Sequence, residues 1–124
     1  MKKLWRIIAA AAATSISVDV SAAAGENFQK LSGVQIRAKF TGMQFTDEVH
    51  WRYVCDRDGT LRSYSMGTKK IGKWAVEKDE LCLHLKEPDD GCFEVSLSGK
   101  RIQTKPSGLG LTIEGVLQTP ADRN

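Results

Sequence analysis

Two hydrophobic periodicities divide the chain. In "LSGVQIRAKFTGM", residues 31 to 43, Val34, Ile36 and Phe40 lie roughly on one side of a helix, with Ser32 placed to cap its start and Gly42 to stop it. A helix this short is held by docking rather than by its own propensity. From Met43 onward the period becomes two, and glycine punctuates it. Trp74 and Val76 alternate with charged or small residues after a turn over Gly67 to Lys70. Lys78 to Glu80 turns the chain into Leu81, Leu83 and Leu85, and Phe93, Val95 and Leu97 return. Ser98 to Lys100 is another turn, into "RIQTK", and "PSGLG" breaks the pattern before "LTIEGVL". Roughly six to eight strands at intervals of about ten residues follow from this spacing. The expected fold is α+β and mostly β: a short N-terminal helix, then an antiparallel meander that curls into a small barrel or sandwich. The helix would cover one face or plug one open end.

"VHWRYVC" and "TLRSYSM" flank "DRDG" as the arms of a hairpin. A two-residue Asp58-Gly59 turn of type I′ would pair Cys55 with Arg62, Tyr53 with Tyr64 and Trp51 with Met66. That register puts Trp51, Tyr53, Tyr64 and Met66 on one face. A three-residue loop from Arg57 to Gly59 would scatter them, so turn chemistry and pattern together favour the first.

The opening of the chain does not join this pattern. Lys2, Lys3 and Arg6, then the apolar "IIAAAAATSISV"-like run, then the small residues of "VSAAAG" follow the order of a secretory signal peptide. Cleavage after Ala22 or Ala24 fits best, which makes residues 1–24 a leader, 25–119 one secreted β-rich domain, and 120–124 a frayed tail. Residues 25–30 are expected as a loose lead-in. No stretch reaches the roughly 20 apolar residues of a spanning helix, so no stable membrane insertion is expected after cleavage. The formal charge of +3 falls to +1 once Lys2, Lys3, Arg6 and Asp19 are gone. The basic balance thus gives no argument for nucleic acid as a partner. The expected location is periplasmic or secreted, where disulfides persist.

Three cysteines allow at most one internal pair and leave one thiol over. Parity puts Leu81, Leu83 and Leu85 on one face with Phe93, Val95 and Leu97, and therefore Cys82 and Cys92 together on the other. A disulfide needs Cys82 directly opposite Cys92, with Leu85 to Asp89 as the connection. A loop from Glu87 to Gly91 follows the turn residues better but would set Cys82 opposite Ser96, too far to bridge. The two registers conflict unless Asp90-Gly91 forms a bulge; export and parity favour the disulfide. A redox role would need a C-x-x-C at a helix start, and zinc about four ligands at paired spacing. Neither pattern is present, and no cofactor is expected. Cys55 shares the Trp51 and Tyr53 face, which makes it a small core thiol, with intermolecular pairing as the alternative. As a nucleophile it would need His50 or His84 beside it.

"DRDGT" places Asp56 and Asp58 like the start of a calcium loop but supplies no further ligands. Asp89 and Asp90 are adjacent turn acids rather than carboxylates set across a cleft. No nucleophile elbow, phosphate loop or dinucleotide fingerprint occurs, so no catalytic residue is assigned. Trp51, Arg52, Tyr53, Tyr64 and Trp74 are the candidate binding face, with a buried core as the competing role for the aromatics.

"LSGVQIRAKFTGM", "HWRYVCDRDGTLRSYSMG", "IGKWAVEKDELCL", "GCFEV" and "GLGLTIEGVL" together resemble small exported proteins of alphaproteobacteria, especially rhizobial relatives, of unknown function. The resemblance covers most of the expected mature chain. It implies a secreted α+β domain with Cys82 and Cys92 bonded, and supplies no activity. "YVCDRDGTLRSYS" is also similar, more weakly, to a strand of the periplasmic C-type lysozyme inhibitors; their S-G-x-R-Y loop and tryptophan-rich last strand are missing here. The leading expectation is a non-catalytic exported binding module for an envelope protein, glycan or small ligand. The alternatives are an inhibitor of an envelope or host hydrolase, presenting residues 56–59 or 86–91, and a small periplasmic hydrolase.

Overall fold

The computed structural model describes residues 27–88 and 90–120; the expected leader, Asp89 and the last four residues of the tail lie outside them. In chain order the elements are β1 (Gln29–Lys30), α1 (Gly33–Phe40), β2 (Met43–Thr46), β3 (Trp51–Cys55), β4 (Thr60–Ser65), β5 (Thr68–Glu77), β6 (Glu80–His84), β7 (Gly91–Ser98), β8 (Arg101–Pro106) and β9 (Ile113–Gln118). Each strand from β2 to β9 pairs antiparallel with the next, and β9 returns to pair with β2. The result is a closed eight-stranded barrel with β1 added on β7. Closure leaves the sheet no free edge along the seam, and it decides for the barrel over the sandwich. The lead-in is tighter than the sequence suggests. Gln29 and Lys30 pair with Leu97 and Ser96, and the Leu31 amide donates to the Val95 carbonyl at 2.8 Å.

Helix α1 forms where the capping residues place it. Ser32 and Gln35 make a reciprocal capping box, with Ser32 Oγ accepting from the Gln35 amide and Gln35 Oε1 from the Ser32 amide. Leu31 and Ile36 hold the hydrophobic staple positions around that cap, and both are buried. Gly42, at φ 77°, ends the helix and turns its amide onto the Cys55 carbonyl at 2.7 Å. Val34 does not join Ile36 and Phe40 in the core; it is 80% exposed. At 3.6 residues per turn it lies about 160° around the helix from Ile36, so one face cannot hold both.

The hairpin between β3 and β4 takes the three-residue loop, not the two-residue turn. Cys55 pairs with Leu61, Tyr53 with Ser63 and Trp51 with Ser65. The Asp58 carboxylate accepts from the Thr60 amide at 2.9 Å, and Gly59 takes φ 93°, the left-handed residue such a loop requires. Shifting by one residue moves Tyr64 and Met66 off the Trp51–Tyr53 face. The expected two-residue turn appears one hairpin later. Met66 and Gly67, at φ 51° and 86°, join Ser65 to Thr68, so β5 begins within the stretch read as a turn. Lys78 and Asp79, at φ 49° and 62°, repeat the device between Glu77 and Glu80.

Leucine and phenylalanine parity holds between β6 and β7. Leu81 opposes Phe93 inside the barrel, and Cys82 opposes Cys92 on its outer face, where the two form a disulfide. The core comprises Ile36 and Phe40 from α1 with Leu61, Trp74, Leu81, Val95 and Ile102 from the strands. Among the described residues no helix is long and apolar enough to cross a membrane.

Candidate functional site at the open end of the barrel

In a closed meander alternate connections fall at alternate ends. Helix α1 packs on β2, β5 and β6 at the end that carries residues 56–59, 78–79 and 99–100. There the Gly33 amide donates to Asp79 Oδ1 at 2.6 Å, and Phe40 and Ile36 fill the barrel. The other end has no such plug. It opens into a cavity of about 690 Å³, lined by Phe45, Trp51, Tyr53, Leu83, Leu85 and Phe93 under the β8–β9 connection. That size and an apolar lining with few polar groups suit a small organic ligand.

Local sequence builds the lining. Aromatic rings stack from the plug to the mouth: Phe40 meets Phe45 edge-on at 6.3 Å, Phe45 meets Trp51 at 5.0 Å at the rim, and Trp51 meets Tyr53 at 5.5 Å behind it. Glycine makes room for them. A Cβ on Gly115 would lie 2.9 Å from the Phe45 ring and 2.6 Å from the Thr46 carbonyl, so β9 approaches β2 this closely only without a side chain there. A Cβ on Gly72 would overlap the His84 carbonyl and press on Leu85, which folds over that position.

Polar contacts fix the rim. The Asp90 carboxylate accepts from the amides of Leu85, Lys86 and Glu87, at 2.9, 2.6 and 3.2 Å, and the Asp90 amide donates to the Glu87 carbonyl at 3.0 Å. This turn, with Lys70 paired to Glu87, holds the β6–β7 connection in the register that sets Cys82 opposite Cys92. On the β2–β3 connection the Asp47 carboxylate accepts from the amides of Val49, His50 and Trp51 and from the His50 ring. Partial desolvation pushes its pKa up, but these donors outweigh it and hold the carboxyl well below the usual range.

The structure separates the five residues of the sequence-derived binding face. Trp51 and Tyr53 line the mouth. Trp74 is a core residue whose Nε1 donates to the Asp56 carbonyl at 2.8 Å. Arg52 and Tyr64 stand on the outer wall, with the Arg52 guanidinium 3.8 Å from the Tyr64 ring centroid. Arg62 continues that wall. It forks onto both Asp56 oxygens at 2.9 Å, and this hydrogen bonding raises its pKa. Asp56 and Asp58 thus both bond within the hairpin, Asp56 to Arg62 and Asp58 to the Thr60 amide. Leu83, Leu85 and Phe93 were legible as sharing one face, Phe45 was not singled out, and nothing in their period says which end of the barrel is open. The best signal was "PSGLGLT", where leucines alternate with glycine in a connection.

The remaining chemistry is structural. Cys55 is buried, and burial, with the nearby Asp56 charge, pushes its thiol up to about 12, so it carries almost no thiolate near neutral pH. His50 is held at the exposed rim by Asp47. The Glu77 carboxylate lies within 4.8 Å of both Cys82 and Cys92 sulfurs, but these are bonded to each other and offer no thiolate ligand. No family model, curated protein or solved structure matches the chain in comparisons with known proteins.

Proposed function

We propose that this protein is a non-catalytic binding module that holds a small apolar molecule in the open end of its barrel. The observation that carries the reading is the 690 Å³ mouth, with Trp51 and Tyr53 partly exposed in an apolar wall. A globular protein gains nothing for its own stability by leaving such a wall unfilled, and it gains free energy when a ligand covers it. The disulfide and the leader-like opening support an oxidising location, periplasmic or secreted.

The test is titration of the purified protein with palmitate and, separately, with anilinonaphthalene sulfonate, read by tryptophan and probe fluorescence. Saturable binding that Trp51→Ala weakens at least about tenfold is the expected result. Absence of saturation with both, and no small molecule released from protein purified from its source, would overturn the reading. A second reading, a hydrolase inhibitor presenting residues 86–91, draws on the disulfide and the Asp90 turn that hold this loop. Its check is a C-type lysozyme assay, in which full enzyme activity at a large excess of this protein sinks it.

A further inference from the structure

The mouth is mostly apolar, and its charge is of one sign. Among the described residues that line it, Asp90 alone is charged; no lysine, arginine or histidine joins it. Lys86, the nearest cation in sequence, is exposed and lies outside the lining. Lys70 is taken by Glu87 of the same turn. The Ser107 hydroxyl, another polar group at the mouth, donates to Glu80 Oε2 or to the Cys92 carbonyl, at 3.1 and 3.3 Å, so its one hydrogen is already engaged.

The Asp90 carboxylate is unevenly used. Oδ2 accepts from the amides of Leu85, Lys86 and Glu87, at 2.9, 2.6 and 3.2 Å. Oδ1 only shares the Leu85 amide, at 2.9 Å. An ionised carboxylate offers about four lone-pair sites over its two oxygens, so Oδ1 keeps acceptor capacity that the turn does not use. Neutral amides orient the group without cancelling its charge. Beside an apolar wall that charge acts more strongly than in water. The rings add to it: Trp51 and Tyr53 are tilted by 45° to each other, and Phe45 and Phe93 line the same cavity. The face of an aromatic ring is the negative part of its quadrupole and attracts a cation.

We infer that the ligand of the mouth is a primary amine on an apolar body, its ammonium group donating to Asp90 Oδ1 and its body lying against the rings. This rests on the binding function proposed above and adds the head group to it. Burial of an alkyl chain lets any such molecule enter, palmitate included; the head sets the rank. An ammonium head meets a free acceptor and ring faces. A carboxylate head meets a like charge with no lining cation to offset it. A hydroxyl head can use the acceptor but brings no charge to it.

Titration of the purified protein at neutral pH with decylamine, decanol and decanoate, read by tryptophan fluorescence, tests this. Decylamine is expected to bind at least about tenfold more tightly than decanol, with decanoate the weakest. Asp90→Asn, whose side-chain carbonyl still accepts from the turn amides, brings decylamine to within about threefold of decanol. Carbon-13 NMR of the Asp90 side-chain carboxyl in the wild type keeps the test open should the variant fail to fold: saturating decylamine moves this resonance, and decanol leaves it in place. Decanol bound as tightly as decylamine overturns the inference and leaves the binding function standing. So does a preference for decylamine that the folded Asp90→Asn variant retains, or a carboxyl resonance that decylamine does not move. Saturation with none of the three overturns the inference and the binding function together.

Discussion

At the end closed by α1, the barrel interior is filled by Ile36 and Phe40, and the connecting turns are short and charged. At the other end the same alternating strands point Trp51, Tyr53, Leu85 and Phe93 into a cavity that the β8–β9 connection borders and no helix fills. The difference teaches that alternation alone builds a wall, while the segment added at one end decides which part of the interior becomes core. A side chain of the same type stabilises the protein at one end and is left available at the other.

Changes at the two ends separate these roles. Phe40→Ala at the closed end is expected to cost about 3–5 kcal/mol, because a fully buried ring leaves a cavity that the barrel cannot close. Chemical denaturation measures it. Replacing Cys82 and Cys92 together by serine removes a crosslink spanning 10 residues, a loss of about 2.5–3 kcal/mol by chain entropy, read in the same assay without reductant. Trp51→Ala at the mouth is expected to cost less than Phe40→Ala does, because its ring is already partly exposed. An equal loss would make the mouth part of the core and break the comparison.

The smallest effect is electrostatic. Asp47 has its folded pKa depressed, so its contribution is complete above the ordinary carboxylate pKa of about 4 and fades as pH falls through the folded value. Asp58 and Glu114 shift in the same direction and add to the acid limb. Asp47→Asn should lower stability slightly at neutral pH and flatten the decline below pH of about 4. A thermal melt series in which the variant and the wild type decline in parallel would remove Asp47 from the account.

Much of the fold was readable because side-chain period and turn residues agree over most of the chain. The Ser32 cap, the Gly42 stop and the leucine parity of β6 with β7 follow from local rules, while the opposition of Cys82 to Cys92 was favoured by parity and export against the turn residues. The β3–β4 hairpin did not, because Asp58-Gly59 suits both a two-residue turn and the end of a three-residue loop. What decides it is nonlocal in kind: Leu61 turns inward toward the core, and Arg62 turns outward to fork onto Asp56. That one-residue difference is why Tyr64, grouped with Trp51 by sequence, stands on the wall beside Arg52. The mouth was half readable. Its residues were marked as inward, but the end they open on depends on where α1 docks, which no strand pattern encodes.

The seam has a consequence for how the chain acquires its structure. Seven of the eight barrel pairings join strands that follow one another, and each can form as its hairpin is made. The pairing of Gln44 with Gln118 joins positions at nearly opposite ends of the described chain and depends on the last strand. Closing that long loop is the costly and slow step, and until it happens β2 and β9 present unpaired edges. Chains shortened before Ile113 are therefore expected to remain open sheets that associate edge to edge, so the polar-looking C-terminal strand guards the whole barrel against aggregation.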